Sequence, residues 1–345
     1  MKRKAFVSSL LAGIAAATLA WPVHAQRTVL NVYTALESDQ LRAYQEAFNA
    51  RHPDIEIRWT RASTGVITAR LLAERAQPVA DVIMGVAASS MVVFEREGML
   101  HPYAPANLAA INPRFRDPAA PPSWVGMNVW GAAICYNTAE ATRLGLPRIE
   151  SWQDLLRPEF RGRIVMPNPN TSGTGFLNVT AWLQMFGERG GWEFMTRLHE
   201  NVAMYTTGGS RPCTMAGAGE FPVGISFEFR ANNVRERGAP IDVVFPREGL
   251  GWDLESFAIV RGTPRLEAAQ RLADWASTRE ANELYARNFA ITAIPGIATR
   301  LKYIPADFEQ RLVRNDFTWM AQHRDAVLAE WQRRFSAKAE PAPRN

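Results

Sequence analysis

Strand-like and helix-like segments alternate along most of the chain, and this alternation constrains the fold more than any other feature. The first three strand–helix pairs, in chain order, are 28–33 with 39–51, 55–59 with 65–76, and 80–84 with 89–97. Strands separated by helices in this way form parallel sheets, because a parallel partner requires a crossover connection. The pattern therefore predicts an α/β fold with a largely parallel sheet.

The second half continues the alternation after a Pro-, Ala- and Asn-rich stretch at 102–122, which is typical of a connector between lobes. Ser151 is expected to cap a short helix. The further predicted strands are 127–136, 164–167, 223–226, 241–245 and 254–260, and the predicted helices are 152–156, 175–186, 191–199, 265–277, 280–289 and 307–335. A mature chain of about 320 residues is long for one hydrophobic core and suits two lobes. Residues 340–345 are expected to fray.

The N-terminus has the features of a secretory signal peptide. A basic start at residues 2–4 precedes an alanine-rich apolar run at 5–20, and small residues at 23 and 25 precede an expected cut at Gln26. No later run reaches the roughly 20 apolar residues that a membrane span needs. The mature protein is thus expected to be exported to the periplasm, without a lipid-anchoring cysteine.

Charge and cysteine content narrow the function classes. The chain has a formal net charge of +5, which falls to +2 (5 − 3) without the three basic residues of the signal peptide. The remaining arginines are interspersed with acidic residues, so no nucleic-acid-binding stripe is predicted. Cys135 and Cys213 do not make a metal set. Export permits a disulfide between them, but the sequence leaves open whether their Cα atoms approach closely enough.

Five strand-to-helix junctions carry small or hydroxyl-bearing residues, and they lie at 34–38, 63–65, 87–90, 171–175 and 208–210. In parallel sheets such junctions gather at the carboxyl ends of the strands, where ligands bind. Free backbone N–H groups and the positive end of the helix dipole can hold an anion there. The alternative at each junction is an ordinary N-cap turn.

The junction at 171–175 is the most developed of the five. Thr171, Ser172 and Thr174 offer hydroxyl donors, while Gly173 and Gly175 let a ligand approach the backbone. This segment predicts an anion-binding loop.

Acidic residues near the same junctions suggest a second kind of contact. They are Glu37, Glu228, Asp253 and Glu255. A cleft with donors on one side and carboxylates on the other suits a zwitterion that carries an oxyanion and an ammonium group. Each carboxylate taken alone is also compatible with a solvated or capping role. Trp252 and Phe227 are candidate cleft walls, although aromatic residues also fill cores.

Enzyme motifs are missing from the sequence. It has no Gly-x-Ser-x-Gly elbow, no zincin helix, no Gly-x-Gly-x-x-Gly fingerprint and no Walker loop. Its five histidines fall outside the candidate loops, so no general base is evident. The pattern favours binding over catalysis, and no cofactor or metal is predicted.

Several motifs together resemble those of a known protein family. They are Val32–Glu37, Ser63–Gly65, Ala80–Val82, Cys135–Thr138, Pro158–Ile164, Pro167–Gly175, Gly219–Ser226 and Gly249–Asp253. Over essentially the whole mature chain the sequence resembles the solute-binding proteins of ABC importers. It is most similar to the branch that includes ferric-iron binders and, within it, to 2-aminoethylphosphonate-binding proteins.

The resemblance implies a two-lobed periplasmic-binding-protein fold of type II, with the ligand in the inter-lobe cleft and hinge closure around it. The implied segments are a signal peptide at 1–25, lobe 1 at 26–123 with 253–300, lobe 2 at 124–252, and C-terminal helices with a tail at 301–345. A monomer is expected, with an inner-membrane permease as its partner.

The resemblance also implies the ligand, which is 2-aminoethylphosphonate or a close zwitterionic phosphonate. The residues expected to share the phosphonate are Ser63, Thr64, Ser89, Thr171, Ser172, Gly173, Thr174 and Ser210. The residues expected to meet the amine are Glu37, Glu228 or Asp253. One alternative is ferric iron with a synergistic anion, but Glu228 and Phe229 stand near the position of the iron binders' tyrosine pair and the chain has no adjacent tyrosines. The other alternative is an exported phosphonate or phosphoester hydrolase.

Overall fold

The structure is a computed structural model that describes residues 27–297 and 301–340. The predicted signal peptide and the tail beyond Glu340 lie outside the described residues. The strands are β1 (Thr28–Thr34), β2 (Ile55–Arg61), β3 (Val82–Ala87), β4 (Leu100–His101), β5 (Val125–Asn137), β6 (Ile164–Pro167), β7 (Val202–Thr206), β8 (Val223–Phe227), β9 (Ile241–Val244), β10 (Trp252–Val260) and β11 (Ile291–Thr292).

Helices follow most strands, as the alternation predicts. They are α1 (Ser38–Arg51), α2 (Thr64–Ala73), α3 (Ala88–Arg96), α4 (Thr138–Leu144), α5 (Gly173–Asn201), α6 (Arg211–Gly217), α7 (Glu228–Glu236), α8 (Leu266–Ala276), α9 (Arg279–Tyr285) and α10 (Phe317–Phe335). Short 3-10 turns occur at Leu108–Ala110, Pro113–Phe115, Gln153–Leu156, Pro158–Phe160, Glu309–Arg311 and Ser336–Lys338. The α/β class predicted from the sequence is confirmed.

One long strand, β5, joins the lobes. The strand order is β2-β1-β3-β10-β5-β8-β6-β7, with parallel pairing at β1–β2, β1–β3, β6–β7 and β6–β8. The first half of β5 pairs with β10, and its second half pairs with β8 and β9. The change of partner falls between Gly131 and Ala132, so β5 passes from one lobe into the other at that point.

The apolar side chains form separate cores on the two sides of this crossing. One core contains buried residues of β1, β3, α3 and the later part of β10. Another contains buried residues of β6, β8, α5 and α10. Packed cores on the two sides of one continuous strand give a two-lobed molecule, which is the architecture expected for hinge closure.

Helix α5 is broken at Gly187, whose φ of 74° and ψ of 164° are not helical. The break falls between the two helices predicted at 175–186 and 191–199. Glycine permits the positive φ because it has no Cβ.

The predicted C-terminal helix at 307–335 begins too early. Residues 307–311 form turns that end in the 3-10 helix Glu309–Arg311, and residues 312–316 belong to no helix. Leu250 N–H donates to the Arg311 carbonyl at 2.8 Å, and Val313 N–H donates to the Leu250 carbonyl at 3.0 Å. Asp316 then caps α10 by accepting the Trp319 N–H at 2.9 Å. Glu340, which was expected to fray, forms an ion pair instead, because its carboxylate lies 2.8 Å from the Arg211 guanidinium.

Cys135 and Cys213 form a disulfide with Cα atoms 5.3 Å apart, which resolves the question that the sequence left open. The bond attaches the N-terminal part of α6 to β5. Among the described residues, no helix is long and apolar enough to cross a membrane.

Candidate functional site

A cavity of about 90 Å³ lies between the lobes, where the carboxyl ends of their strands meet. All five junctions singled out in the sequence contribute to its lining. The contributing residues are Ala35 and Glu37, Ser63 and Thr64, Ala87, Gly173 and Thr174, and Gly208, Gly209 and Ser210. Clustering of this kind is expected where parallel strands end at one edge of a sheet.

The two lobes touch beside the cavity. Gly65 N–H at the start of α2 donates to the Thr171 carbonyl at 3.0 Å. A Cβ at Gly65 would lie 2.5 Å from the Asn170 carbonyl oxygen, and a Cβ at Gly173 would lie 2.8 Å from Thr64 Oγ1. The lobes therefore approach so closely here that only glycine fits, which is a closed arrangement of the cleft.

One side of the cavity is rich in hydrogen-bond donors. Ser63, Ser172 and Ser210 are the N-cap residues of α2, α5 and α6, so three helix N-termini face the same region. The loop before α6 is fixed by Ser226, whose hydroxyl donates to the Gly209 carbonyl at 2.7 Å. Helix N-termini and hydroxyls together attract anions.

The other side carries carboxylates without counterions. Glu255 lines the cavity, whereas Glu228, the neighbour of the lining residue Phe227, is completely buried and does not line it. Gly131 N–H donates to Glu228 Oε2 at 2.7 Å, whereas Glu228 Oε1 and Glu255 Oε2 have no hydrogen-bond partner within residues 27–297 and 301–340. Neither carboxylate belongs to an ion pair of the described residues.

Burial dominates the electrostatics of these two groups. It raises the pKa of Glu228 to about 8, against the lowering effect of backbone N–H groups such as that of Gly131. Burial likewise raises the pKa of Glu255 to about 8, and the charges of Glu228 and Glu37 add to the rise. Desolvation disfavours the charged form, so a nearby cation would be needed to keep both groups ionised.

Glu37 is in a different position, because its charge is already balanced. Its Oε2 lies 3.1 Å from Arg61 Nη2 and 3.1 Å from Arg230 Nη2. It also closes a capping box at the start of α1 with Gln40. Glu37 lines the cavity, but it is a weaker candidate for the amine than an unpaired carboxylate.

Two of the residues assigned from sequence lie behind the cavity rather than on its wall. Asp253 Oδ1 accepts the Ser89 N–H at 3.3 Å and the Leu254 N–H at 2.7 Å, so it satisfies the N-terminus of α3. Burial raises the pKa of Asp253 to about 6. Asp253 and Ser89 contact each other and do not line the cavity, so the contact of either residue with a ligand stays a prediction.

Two residues of the anion loop also make internal contacts. Ser172 Oγ accepts the Gly175 N–H at 3.4 Å, and Thr171 Oγ1 donates to the Asn168 carbonyl at 3.4 Å. Both lie next to the cavity without lining it, and their contact with a ligand stays a prediction.

Aromatic residues form part of the carboxylate side. Trp130 and Phe227 line the cavity with ring centroids 5.9 Å apart and planes at 81°. Trp252, the other expected wall, instead donates from Nε1 to the Val313 carbonyl at 2.8 Å and lies away from the cavity.

Sequence reasoning did not place Arg61 or Trp130 at the site, and it noted Glu255 without assigning it to the ligand. The signal for Arg61 is its position at the end of β2, one of the strands that lead into a junction. Trp130 carries no such signal, since it lies inside an apolar strand.

The model of a family described as bacterial extracellular solute-binding protein matches residues 77–321, which is more than half of the chain. The chain belongs to this family.

Relatives of this solute-binding protein span most of its length. An uncharacterized protein of Haemophilus influenzae is 26% identical over 313 residues, covering 88% of this chain and 89% of its own. A probable ABC transporter periplasmic-binding protein of Sinorhizobium fredii is 24% identical over 258 residues, covering 73% and 70%.

A solved structure also matches the solute-binding protein closely. The periplasmic binding protein AfuA of Actinobacillus pleuropneumoniae, described with fructose-6-phosphate bound, superposes with a TM-score of 0.83 at 26% identity. The match covers 90% of this chain and 99% of AfuA. The two-lobed binding-protein fold predicted from the sequence is thereby confirmed, and proteins of this kind take a small-molecule ligand to a membrane permease.

Proposed function

We propose that the protein is the exported receptor of an ABC importer for 2-aminoethylphosphonate or a close zwitterionic phosphonate. The observation that carries the proposal is one small inter-lobe cavity with helix N-termini and hydroxyls on one side and the unpaired carboxylate of Glu255 on the other, beside the buried carboxylate of Glu228.

The phosphonate is proposed to lie against the donor side. Ser63, Thr64, Thr174 and Ser210 line this part of the cavity, and the first turn of α5 begins at Gly173. A phosphonate has three acceptor oxygens and a negative charge, so it matches hydroxyl donors and the positive ends of helix dipoles. Thr171 and Ser172 lie next to this group of donors.

The amine is proposed to lie against the carboxylate side. Glu228 and Glu255 have no counterion among the described residues, and a buried carboxylate is stabilised by an opposite charge at close range. The cavity of about 90 Å³ is well below the roughly 300 Å³ at which pockets for drug-sized ligands begin, which favours a compact ligand.

A phosphorylated sugar is the second candidate, favoured by the likeness to AfuA, which is described with fructose-6-phosphate. Sugar hydroxyls would then donate to Glu228 and Glu255. The small cavity argues against a hexose phosphate in the closed arrangement.

Ferric iron and hydrolysis are supported less well. The chain has no adjacent tyrosines, and no group of three or more His, Cys, Asp and Glu that could hold a metal occurs in the described part. The family consists of extracellular solute-binding proteins, which favours transport over hydrolysis.

A thermal-shift screen tests the proposal. Purified mature protein is heated with 2-aminoethylphosphonate, ethylphosphonate, phosphate, fructose 6-phosphate, putrescine or Fe(III). A ligand that binds only the folded state raises the melting temperature. We expect the largest rise with 2-aminoethylphosphonate, and a larger rise with fructose 6-phosphate would transfer support to the second candidate.

A further inference from the structure

One arginine side chain lies at the wall of the inter-lobe cavity. Arg61 is the last residue of β2, and it lines the cavity together with Ser63 and Thr64 of the donor side. No other Lys or Arg among the described residues lines this cavity. The Arg61 guanidinium is therefore the formal positive charge that an anion in the cavity would meet.

The guanidinium of Arg61 is anchored by the junction that follows β1. Its Nε donates to the Leu36 carbonyl at 2.9 Å, and its Nη2 donates to Glu37 Oε2 at 3.1 Å. Its Nη1 has no hydrogen-bond partner within residues 27–297 and 301–340. Because a guanidinium presents its N–H groups in a rigid planar fork, anchoring two of the nitrogens fixes the direction of the third.

The counterion of Arg61 is shared with the opposite lobe. Glu37 Oε2 lies 3.1 Å from Arg61 Nη2 and also 3.1 Å from Arg230 Nη2. Arg61 and Glu37 belong to the lobe that contains β1, whereas Arg230 belongs to α7, whose Phe229 packs in the core of the lobe that contains β8. The carboxylate of Glu37 therefore divides its charge between arginines of the two lobes.

A second carboxylate extends this ion-pair cluster without neutralising it. Asp39 Oδ2 lies 3.5 Å from Arg230 Nη1 and 3.6 Å from Arg237 Nη2. Three guanidinium groups thus share the carboxylates of Glu37 and Asp39, and none of the three has another ion-pair partner in the described part of the chain. One positive charge is left over, and Arg61 is the arginine of the cluster that lines the cavity.

The excess charge at Arg61 depends on closure of the cleft. The ion pair of Arg230 with Glu37 joins the two lobes, so it forms only when the lobes meet. In an open cleft Glu37 has Arg61 alone as a partner, and closure adds the second guanidinium. Glu255 also lines the cavity, but it forms no ion pair with Arg61 or Arg230. An anionic ligand supplies the negative charge that the closed cluster lacks.

We propose that Arg61 binds an oxygen of the ligand's phosphonate, or of another tetrahedral phosphorus oxyanion, in the closed cleft. The inference rests on the proposed function, since it requires an anionic group in this cavity. Arginine suits such a group because its paired N–H donors match phosphate-type oxygens and their hydrogen bonds are strengthened by charge. Arg61 adds a positive charge to the hydroxyls and helix N-termini of the donor side.

The test compares the wild-type mature protein with Arg61→Met, Arg61→Lys and Arg58→Met. Arg58→Met is the matched control, because Arg58 lies on the same strand with a side chain that is 65% exposed and does not line the cavity. Calorimetry measures the affinity for 2-aminoethylphosphonate and for fructose 6-phosphate. 31P NMR at saturating ligand records the surroundings of the bound phosphorus. Thermal denaturation checks folding, and Arg61→Lys serves alone if Arg61→Met does not fold.

We expect Arg61→Met to weaken binding roughly 10- to 150-fold, the range for losing a hydrogen bond to a charged group. Arg61→Lys should recover part of the affinity, because it keeps the charge and loses the planar fork. The bound 31P signal should move in Arg61→Lys and should keep its wild-type position in Arg58→Met.

Wild-type affinity in Arg61→Met or in Arg61→Lys would overturn the inference and leave the proposed function standing. A weakened affinity with an unmoved 31P signal in Arg61→Lys would overturn it too, because Arg61 would then act only by holding Leu36 and Glu37. Wild-type binding of fructose 6-phosphate without 2-aminoethylphosphonate would overturn the proposed ligand, and the losses in the Arg61 variants with fructose 6-phosphate would still support the inference. Binding of neither ligand to the wild type would overturn both.

Discussion

Gly65→Ala should weaken ligand binding without weakening the fold. In the closed arrangement the new methyl group would lie 2.5 Å from the Asn170 carbonyl oxygen and 2.7 Å from the Thr171 carbonyl carbon. An ordinary contact begins at 3.4 Å, so the lobes would have to separate by 0.9 Å (3.4 − 2.5) at this point. The obstructing atoms are backbone, which cannot rotate away.

The magnitude follows from the cost of overpacking a close contact, about 1–3 kcal/mol. If that cost falls on the closed state alone, affinity drops by roughly 5- to 150-fold. Stability of the ligand-free protein should hold or rise, because Ala is favoured over Gly in a helix by roughly 0.5–1 kcal/mol and the open cleft contains no clash.

Calorimetry with 2-aminoethylphosphonate measures the affinity, and small-angle X-ray scattering measures the compaction that the ligand induces. Gly190→Ala is the matched control, since its Cβ would meet only the Phe186 Cβ at 3.4 Å. Wild-type affinity and compaction in Gly65→Ala would refute the reasoning that this contact belongs to the ligand-bound state.

Three further perturbations separate the parts of the site. Thr174→Val removes a hydroxyl that lines the cavity and should weaken phosphonate binding by about 1.5–3 kcal/mol, measured by calorimetry. Thr180→Val is the control, because the Thr180 hydroxyl donates within α5 to the Phe176 carbonyl, and this variant should keep the wild-type affinity. Glu228→Gln should weaken 2-aminoethylphosphonate much more than ethylphosphonate, and equal losses in parallel titrations would show that Glu228 shapes the cleft without contacting the amine. Burial raises the pKa of Glu228 and of Glu255 in the folded protein to about 8, so the folded state holds more protons than the unfolded state between about pH 4.5 and about pH 8. The free energy of unfolding of the ligand-free protein should therefore fall as the pH rises through this range. Urea unfolding at several pH values should show a free energy of unfolding that falls by up to about 1.4 kcal/mol per pH unit for each such proton. A free energy that does not change with pH would contradict the raised pKa values of the two glutamates.

Much of the site could be predicted from the sequence because it is built from local signals. Each of the five junctions is a strand end followed by a cap, which a local pattern identifies, and parallel pairing then places all five at one edge. The same local pattern predicted that Glu228 directly follows a strand, and in the structure it directly follows β8.

Local sequence could not tell which carboxylate is paired within the protein and which is left unpaired. Asp253 and Glu255 lie two residues apart on one strand, so alternation assigns them to the same face. Only the packing of α3 over Asp253 reveals that one is a capping group and the other is unpaired. Burial and pairing depend on elements far away in the chain.

The prediction of helix at 307–316 was wrong for the same reason, which is that a distant element decides the local structure. Leu312 and Val313 pair with Leu250, some 60 residues earlier, and that contact keeps them out of a helix. The short apolar pattern at 307–316 is compatible with a helix and carries no sign of its distant partner.

Calorimetric titration of the mature protein with 2-aminoethylphosphonate tests the central claim most directly. The cavity's donors and unpaired carboxylates predict one site with a dissociation constant of about 1 μM or tighter, roughly −8 kcal/mol or more favourable. Absence of binding heat with 2-aminoethylphosphonate, alongside strong binding of Fe(III) or fructose 6-phosphate under the same conditions, would contradict it.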